Sequence, residues 1–138
     1  MDRRRFLAGL GAAGVVGLAG CTAGASDGQD YDIGTTATRF HPPEFTTSVG
    51  TEVVWKNTSS RAHTVTAYES HLPDGAAYFA SGGYDTEQAA RNAFYDKFGG
   101  ALDSGETFSH TFEDPGTYHY FCIPHEQAGM VGKVVVQK

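Results

Sequence analysis

The chain is poor in cysteine and in basic residues and has no long apolar run, and each shortage excludes a class of protein. Its 138 residues include two cysteines, Cys21 and Cys122, too few for a disulfide-rich scaffold. Basic residues number 10 against 16 acidic ones and form no patch, so we expect no nucleic-acid partner. The apolar run from Phe6 to Gly20 is shorter than the roughly 20 residues that a membrane-spanning helix needs.

That short apolar run, placed behind three arginines, is typical of an export signal. The stretch RRRFL resembles a twin-arginine signal, and LAGC, which ends at Cys21, resembles a lipobox. We therefore predict a signal peptide over residues 1–20, a lipid on Cys21, a flexible tether over residues 21–30 and a folded domain over residues 31–138. The protein would be exported and anchored to the extracytoplasmic side of the cell membrane; the alternative is a plain secretory signal with a chance cysteine.

Removal of the leader leaves an acidic chain with one thiol besides Cys21. Without Asp2 and the three arginines, 7 basic and 15 acidic residues remain, a net charge of −8. The acidic side chains are scattered, which favours adaptation to high salt over docking of a cationic partner. If Cys21 carries lipid, Cys122 has no disulfide partner within the chain. Outside the cytoplasm a lone thiol is oxidised unless it is buried or occupied.

Short alternating segments between glycine- and proline-rich turns indicate an all-β sandwich or barrel. The clearest are TEVVWKN, AHTVTAY, ETFSHTF, TYHYFC and VGKVVVQK. One segment departs from this pattern: an insertion of about residues 70–103 contains alanines and phenylalanines at helical spacing. We predict a short helix there, with Asp85 as its N-cap and Gln88 completing a capping box.

Near the C-terminus, YFCIPHEQAGM places Cys122, His125 and Met130 in the pattern Cys-x2-His-x4-Met. Thiolate, imidazole and thioether together suit copper better than zinc, and two histidines with one cysteine and a weak axial methionine form a blue-copper site. Such a site needs a second histidine. His63 stands out because it follows VVWKN and a turn, whereas the remaining histidines are interpreted as exposed or structural: His41, His71, His110 and His119.

The stretches VVWKNTSSRAHTVT and GTYHYFCIPHEQAGMVGKVVV together resemble the plastocyanin branch of the cupredoxins, and closely the halocyanins. This resemblance implies a Greek-key β-sandwich and one copper ion bound by four ligands, namely His63, Cys122, His125 and Met130. Two positions depart from the family pattern. Thr64 replaces a frequent asparagine, and Phe121, which we expect to face outward, replaces a frequent tyrosine.

The function that the resemblance implies is one-electron transfer, and the predicted lipid on Cys21 would make the protein a mobile, membrane-anchored carrier. We expect a monomer whose partners are redox proteins of a membrane electron-transport chain, with His125 as the exit route for the electron. Apolar residues such as Pro124, Ala128 and Phe121 would surround that histidine. A copper chaperone or store is the alternative, although such proteins usually display several methionines or histidines. Nothing in the sequence indicates an enzyme.

Overall fold

The computed structural model describes residues 30–138, and Tyr31–Lys138 form one folded unit. The predicted signal peptide, Cys21 and nearly all of the predicted tether lie outside the described residues. Within the described part, eight strands and one α-helix are present, α1 being Glu87–Lys97. The strands are β1 (Ile33–Thr35), β2 (Phe40–His41), β3 (Glu44–Ser48), β4 (Glu52–Asn57), β5 (Thr66–Ala67), β6 (Thr107–Thr111), β7 (Gly116–Phe121) and β8 (Val131–Gln137). Two 3₁₀ segments cover Glu69–His71 and Ile123–Ala128.

The strands form two four-stranded sheets that pack face to face, with the orders β2-β1-β4-β6 and β3-β8-β7-β5. Strand β1 runs parallel to β4 and β3 runs parallel to β8, while the other pairs are antiparallel. Trp55 of the first sheet is fully buried and its ring contacts that of Tyr120 of the second sheet, with centroids 5.5 Å apart. The predicted all-β sandwich is confirmed.

Alternation of side chains along the strands explains which residues form the core. In β4, Val53, Trp55 and Asn57 are buried, whereas Glu52 is exposed. In β7, Tyr118 and Tyr120 face the core, and the same alternation continues to Cys122 just beyond the strand. Since successive side chains of a strand point to opposite faces, β7 delivers the cysteine to the interior at its C-terminal end.

The strand predicted over Ala62–Tyr68 is shorter than expected, because two successive backbone donors in its middle bind side chains instead of a neighbouring strand. Only Thr66–Ala67 form a strand, beside an isolated bridge between His63 and Leu102. The amide of Thr64 points to the sulfur of Cys122, and the amide of Val65 donates to the hydroxyl of Ser81. A β-ladder needs these donors, so the ladder cannot extend through this segment.

The insertion contributes a short buried segment, Phe79–Ser81, and then a helix. Phe79 is buried in the main core, and its ring stacks on that of Trp55 with the centroids 6.0 Å apart and the planes inclined by 29°. Helix α1 follows and buries Ala90 and Phe94. The predicted cap is wrong: Thr86, not Asp85, is the N-cap, because its hydroxyl accepts the amide hydrogen of Ala89 at 3.0 Å. Among residues 30–138 no helix is long and apolar enough to span a bilayer.

Candidate metal centre

Three of the four predicted ligand side chains meet at one end of the sandwich. The sulfur of Cys122 lies 3.5 Å from Nδ1 of His63 and 3.4 Å from Nδ1 of His125. All three ligand atoms lie within 4.8 Å of one another. His63 and Cys122 are fully buried, and His125 is half-buried.

These separations suit a shared metal ion. With metal–sulfur bonds of about 2.3 Å and metal–nitrogen bonds of about 2.0 Å, a sulfur and a nitrogen bound to the same trigonal or tetrahedral ion lie roughly 3.4–3.8 Å apart. The observed distances from the sulfur to the two Nδ1 atoms, 3.5 and 3.4 Å, fit this range. One thiolate and two imidazoles form the donor set of a type 1 copper site, so the residues present fit copper.

Met130 lies at the point where the ligand loop returns to the sandwich. Its carbonyl accepts the amide hydrogen of Cys122 at 3.1 Å, and its own amide donates to the carbonyl of His125 at 3.2 Å. Gly129 precedes it with φ at +88°, a left-handed conformation that glycine adopts without strain. Met130 is fully buried. These two backbone hydrogen bonds therefore hold Cys122, His125 and Met130 together in the loop that connects β7 to β8.

The ring of His63 is oriented from its far side by a short polar network. Its Nε2 lies 3.0 Å from the hydroxyl of Ser59, and that hydroxyl lies 2.8 Å from Oδ1 of Asn57. The serine therefore donates to Asn57 and accepts from Nε2–H, which leaves Nδ1 of His63 unprotonated towards the sulfur. Buried Asn57 also donates to the carbonyls of Arg61 (2.6 Å) and Leu102 (2.8 Å), which holds the turn before His63.

Thr64 connects the His63 segment to the ligand loop twice. Its amide donates to the sulfur of Cys122 at 3.4 Å, as the family resemblance implies. Its hydroxyl accepts the amide hydrogen of Ile123 at 2.8 Å, and it lies 3.0 Å from the hydroxyl of Thr66. The threonine thus provides a side-chain contact to the ligand loop.

Burial controls the protonation of the ligand groups. Burial, with smaller contributions from His125 and Arg61, lowers the pKa of His63 to about 4. The ring is therefore neutral at pH 7 and can offer a lone pair. Burial also raises the pKa of the Cys122 thiol. Because a metal binds the thiolate, metal uptake must displace a proton from this sulfur.

Phe121 does not face outward, and that expectation is wrong. Its ring is fully buried, because the ring of Tyr68 stacks on it at 4.3 Å and the guanidinium of Arg91 lies 4.3 Å from its centroid. Phe94 of helix α1 packs in the same small cluster. The insertion therefore covers the side of the site where Phe121 would otherwise be exposed.

The other four histidines lie outside the ligand cluster, as predicted. His41 and His71 are exposed, the ring of His110 stacks on that of Phe79 at 4.9 Å, and His119 lies against His71 at 5.6 Å.

Sequence reasoning missed two supporting residues, Ser59 and Arg91. Ser59 lies four residues before His63, a distance that a turn can close, whereas no local pattern marks Arg91.

Comparison with known proteins identifies the family. Residues 29–137 match the model of the copper-binding proteins of the plastocyanin/azurin family. Plastocyanin of Rumex obtusifolius is 37% identical over 101 residues, which cover 73% of this chain and 90% of that protein. The minor chloroplastic plastocyanin isoform of Arabidopsis thaliana is 37% identical over 98 residues, which cover 71% of this chain but only 50% of the relative. The chain therefore spans about half the length of some relatives.

Solved structures agree with the sequence comparison. An oxidised amicyanin variant matches with a TM-score of 0.57 and 26% identity, over 82% of this chain and 86% of that one. A purple cupredoxin from Nitrosopumilus maritimus matches with a TM-score of 0.54 and 25% identity, over 78% of this chain and all of that one. With a matching fold, a matching family model and a cysteine between two histidines, the chain belongs to the plastocyanin/azurin family of copper-binding proteins.

Proposed function

We propose that the protein is a type 1 copper electron carrier in which His63, Cys122, His125 and Met130 would hold the metal. One observation carries this proposal: the buried sulfur of Cys122 lies between two imidazole nitrogens, at 3.5 and 3.4 Å. Copper bound there supplies reversible one-electron chemistry. The plastocyanin relatives and the family match support the same function.

The chain contributes fixed donor atoms and a dry environment. Ser59 orients His63, and the amide of Thr64 donates to the sulfur of Cys122. The hydrogen bond to the cysteine sulfur and the thioether of Met130 would both tune the reduction potential of a bound copper ion. Because His63 and Cys122 are held by buried contacts, these two ligands would move little on a change of oxidation state.

The loop around His125 forms the surface through which a redox partner would exchange electrons. His125 is half-buried, and Pro124, Ala128 and Gly129 beside it are exposed. A small exposed surface of this kind suits a weak, transient contact. We expect redox proteins of a membrane electron-transport chain to dock there.

Addition of Cu(II) to the metal-free protein tests the site. We expect an intense blue absorption band from thiolate-to-copper charge transfer, and we expect Cys122→Ser to abolish it. His71→Ala is the matched control, because it removes an exposed histidine outside the cluster and should leave the band intact. A wild-type protein that binds copper but stays colourless would refute the proposal.

A redox cycle separates a carrier from a copper chaperone or store. A carrier should bleach with one electron equivalent of reductant and regain its colour on reoxidation, with the metal retained throughout. Release of copper on reduction, or its transfer to an apo-acceptor faster than to a chelator, would instead favour the chaperone or store.

Export and lipid anchoring through Cys21 complete the proposal and rest on the sequence alone. The arginine-led apolar run and LAGC support them. Intact-mass measurement of the protein from its native membrane should give a chain that begins at Cys21 with added lipid mass. An unlipidated form that begins at another residue would refute the anchor without affecting the copper site.

A further inference from the structure

Helix α1 of the insertion is bonded directly to the loop that carries His125. Arg91 of the helix forms two roughly parallel contacts with Glu126, the residue after His125: Nη1 to Oε1 at 2.8 Å and Nη2 to Oε2 at 3.2 Å. A bidentate pair of this kind fixes orientation as well as distance. The contact spans 35 residues of sequence and two different elements.

Both partners of this pair are themselves held in place. Arg91 also binds Glu87 one helical turn earlier, with Nη2 and Oε2 2.8 Å apart, and its guanidinium lies over the ring of Phe121. Glu126 accepts a further hydrogen bond from the hydroxyl of Tyr68 at 2.7 Å. The bond with Glu126 raises the pKa of Arg91, and the same bond lowers the pKa of Glu126, so both side chains are charged at neutral pH.

Thr64 holds the start of the ligand loop through Cys122 and Ile123, but the exposed residues around and after His125 have little such side-chain support. Pro124, Gln127, Ala128 and Gly129 are exposed. Two backbone hydrogen bonds close the loop around His125. The amide of His125 donates to the carbonyl of Cys122, and the amide of Met130 donates to the carbonyl of His125, each over a long 3.2 Å. The carboxylate of Glu126 thus ties an otherwise exposed loop to a helix packed against the sandwich.

We propose that Arg91 is a positioning residue for His125: through Glu126 it clamps the ligand loop to helix α1 and restricts movement of the histidine. This inference rests on the proposed role of His125 as a ligand. Without the clamp, the loop samples conformations in which Nδ1 of His125 is displaced from Cys122. Metal then leaves faster, and electron self-exchange slows, because the donor atoms must move more as one molecule loses an electron and another gains it.

The decisive variants are Arg91→Ala, Glu126→Gln and their combination in the full protein. Hydrogen exchange of the metal-free protein should show faster exchange for residues 125–130 in each variant, without a comparable change in β4. In the copper-loaded protein we expect the rate of metal release to a chelator to rise by about tenfold, the lower end of what loss of an outer-sphere partner typically costs. Since the two residues act together, the double variant should be little worse than either single one.

Two further variants distinguish a clamp from general destabilisation. Lys133→Ala breaks the ion pair between Lys133 and Glu44, whose atoms are 3.4 Å apart and which lies outside the ligand loop, and it should leave loop exchange and metal release unchanged. The charge-reversed pair Arg91→Glu with Glu126→Arg should restore part of the loss seen in Arg91→Glu alone.

The outcomes separate the clamp from the function on which it rests. Unchanged loop exchange in metal-free Arg91→Ala overturns the clamp, whatever copper does. Faster loop exchange with unchanged metal release overturns the positioning of His125. A wild-type protein that forms no blue band would refute the copper carrier instead, and the metal-free exchange data would still decide whether Arg91 holds the loop.

Discussion

His63 and His125 have ring centroids only 4.8 Å apart, yet the fold holds them in different ways. His63 is fully buried and is supported from behind by Ser59 and Asn57. His125 is half-buried on an exposed loop, and the nearest side-chain support is the ion pair between Glu126 and Arg91. One ligand is held by the sandwich itself and the other by an inserted helix.

The difference matters energetically. Buried hydrogen bonds whose partners cannot reach water cost about 1–3 kcal/mol each when one partner is lost. An ion pair that is partly exposed is typically worth about 0–1 kcal/mol and is weakened by salt. The His63 side should therefore be rigid and essential to folding, whereas the His125 side can vary without loss of the fold.

The largest expected effect is on the His63 side, from Asn57→Ala. This change leaves the amide of Ser59 without its acceptor and removes one of the two donors to the buried carbonyl of Leu102, so we expect a loss of about 2–4 kcal/mol in the free energy of unfolding. Urea denaturation measures it. Asn92→Ala, on the exposed face of α1, is the control and should cost less than about 1 kcal/mol. Equal losses in the two variants would contradict the assignment of Asn57 as a buried anchor.

Thr64→Val tests the connection between the two sides. Valine keeps the shape but leaves the amide of Ile123 without its acceptor, so we expect destabilisation of about 1–3 kcal/mol. The absorption band should also shift, because the loop next to the sulfur moves. Thr64→Ser retains the hydroxyl and should recover most of the stability. If serine and valine behave alike, the hydroxyl does not hold the loop.

Ser59→Ala separates orientation of the ligand from stability of the fold. The ring of His63 stays buried but loses its partner at Nε2, so the tautomer with a free Nδ1 is no longer favoured. We expect copper affinity, measured by competition with a chelator, to fall by about tenfold. Ser60→Ala, at the neighbouring exposed position, should leave affinity unchanged. An affinity that Ser59→Ala does not alter would show that burial alone orients His63.

The smallest expected effect is on the pH dependence of stability, and it comes from His110, outside the metal centre. Burial against Phe79 lowers the pKa of His110, while Glu113 opposes that shift. The unfolded chain therefore binds a proton more readily below about pH 6.5, and this contribution to stability is lost as pH falls towards the folded-state pKa. His110→Phe should make the decline in stability between pH 7 and 5 shallower, while exposed His41→Gln should not. An unchanged slope in His110→Phe would contradict the shift.

The parts of this structure that depend on local alternation could be predicted from the sequence. Alternation along β4 and β7 correctly predicts which side chains lie in the core: Val53, Trp55, Tyr118, Tyr120 and Cys122. The cluster of His63, Cys122 and His125 followed from ligand chemistry together with the family resemblance. These features depend on spacing within one strand or one loop, or on a motif shared across the family.

Features that depend on contacts between distant segments could not be predicted in this way. Alternation along β7 predicts that Phe121 faces outward, and nothing in the strand's own sequence indicates that Tyr68 and Arg91 cover it. The cap of α1 at Thr86 depends on which of two adjacent side chains reaches the amide of Ala89. Pairing of Arg91 with Glu126 appears only once the insertion is packed on the sandwich.

The separation of 59 residues between His63 and Cys122 has a consequence for how the protein folds. Cys122, His125 and Met130 come together as soon as β7 and β8 form their hairpin, a local event. His63 joins them only after a long loop has closed, which is entropically costly and slow. We therefore expect the complete ligand set to form late in folding. The time at which the blue absorption band appears during refolding with copper would then report the final closure of the sandwich.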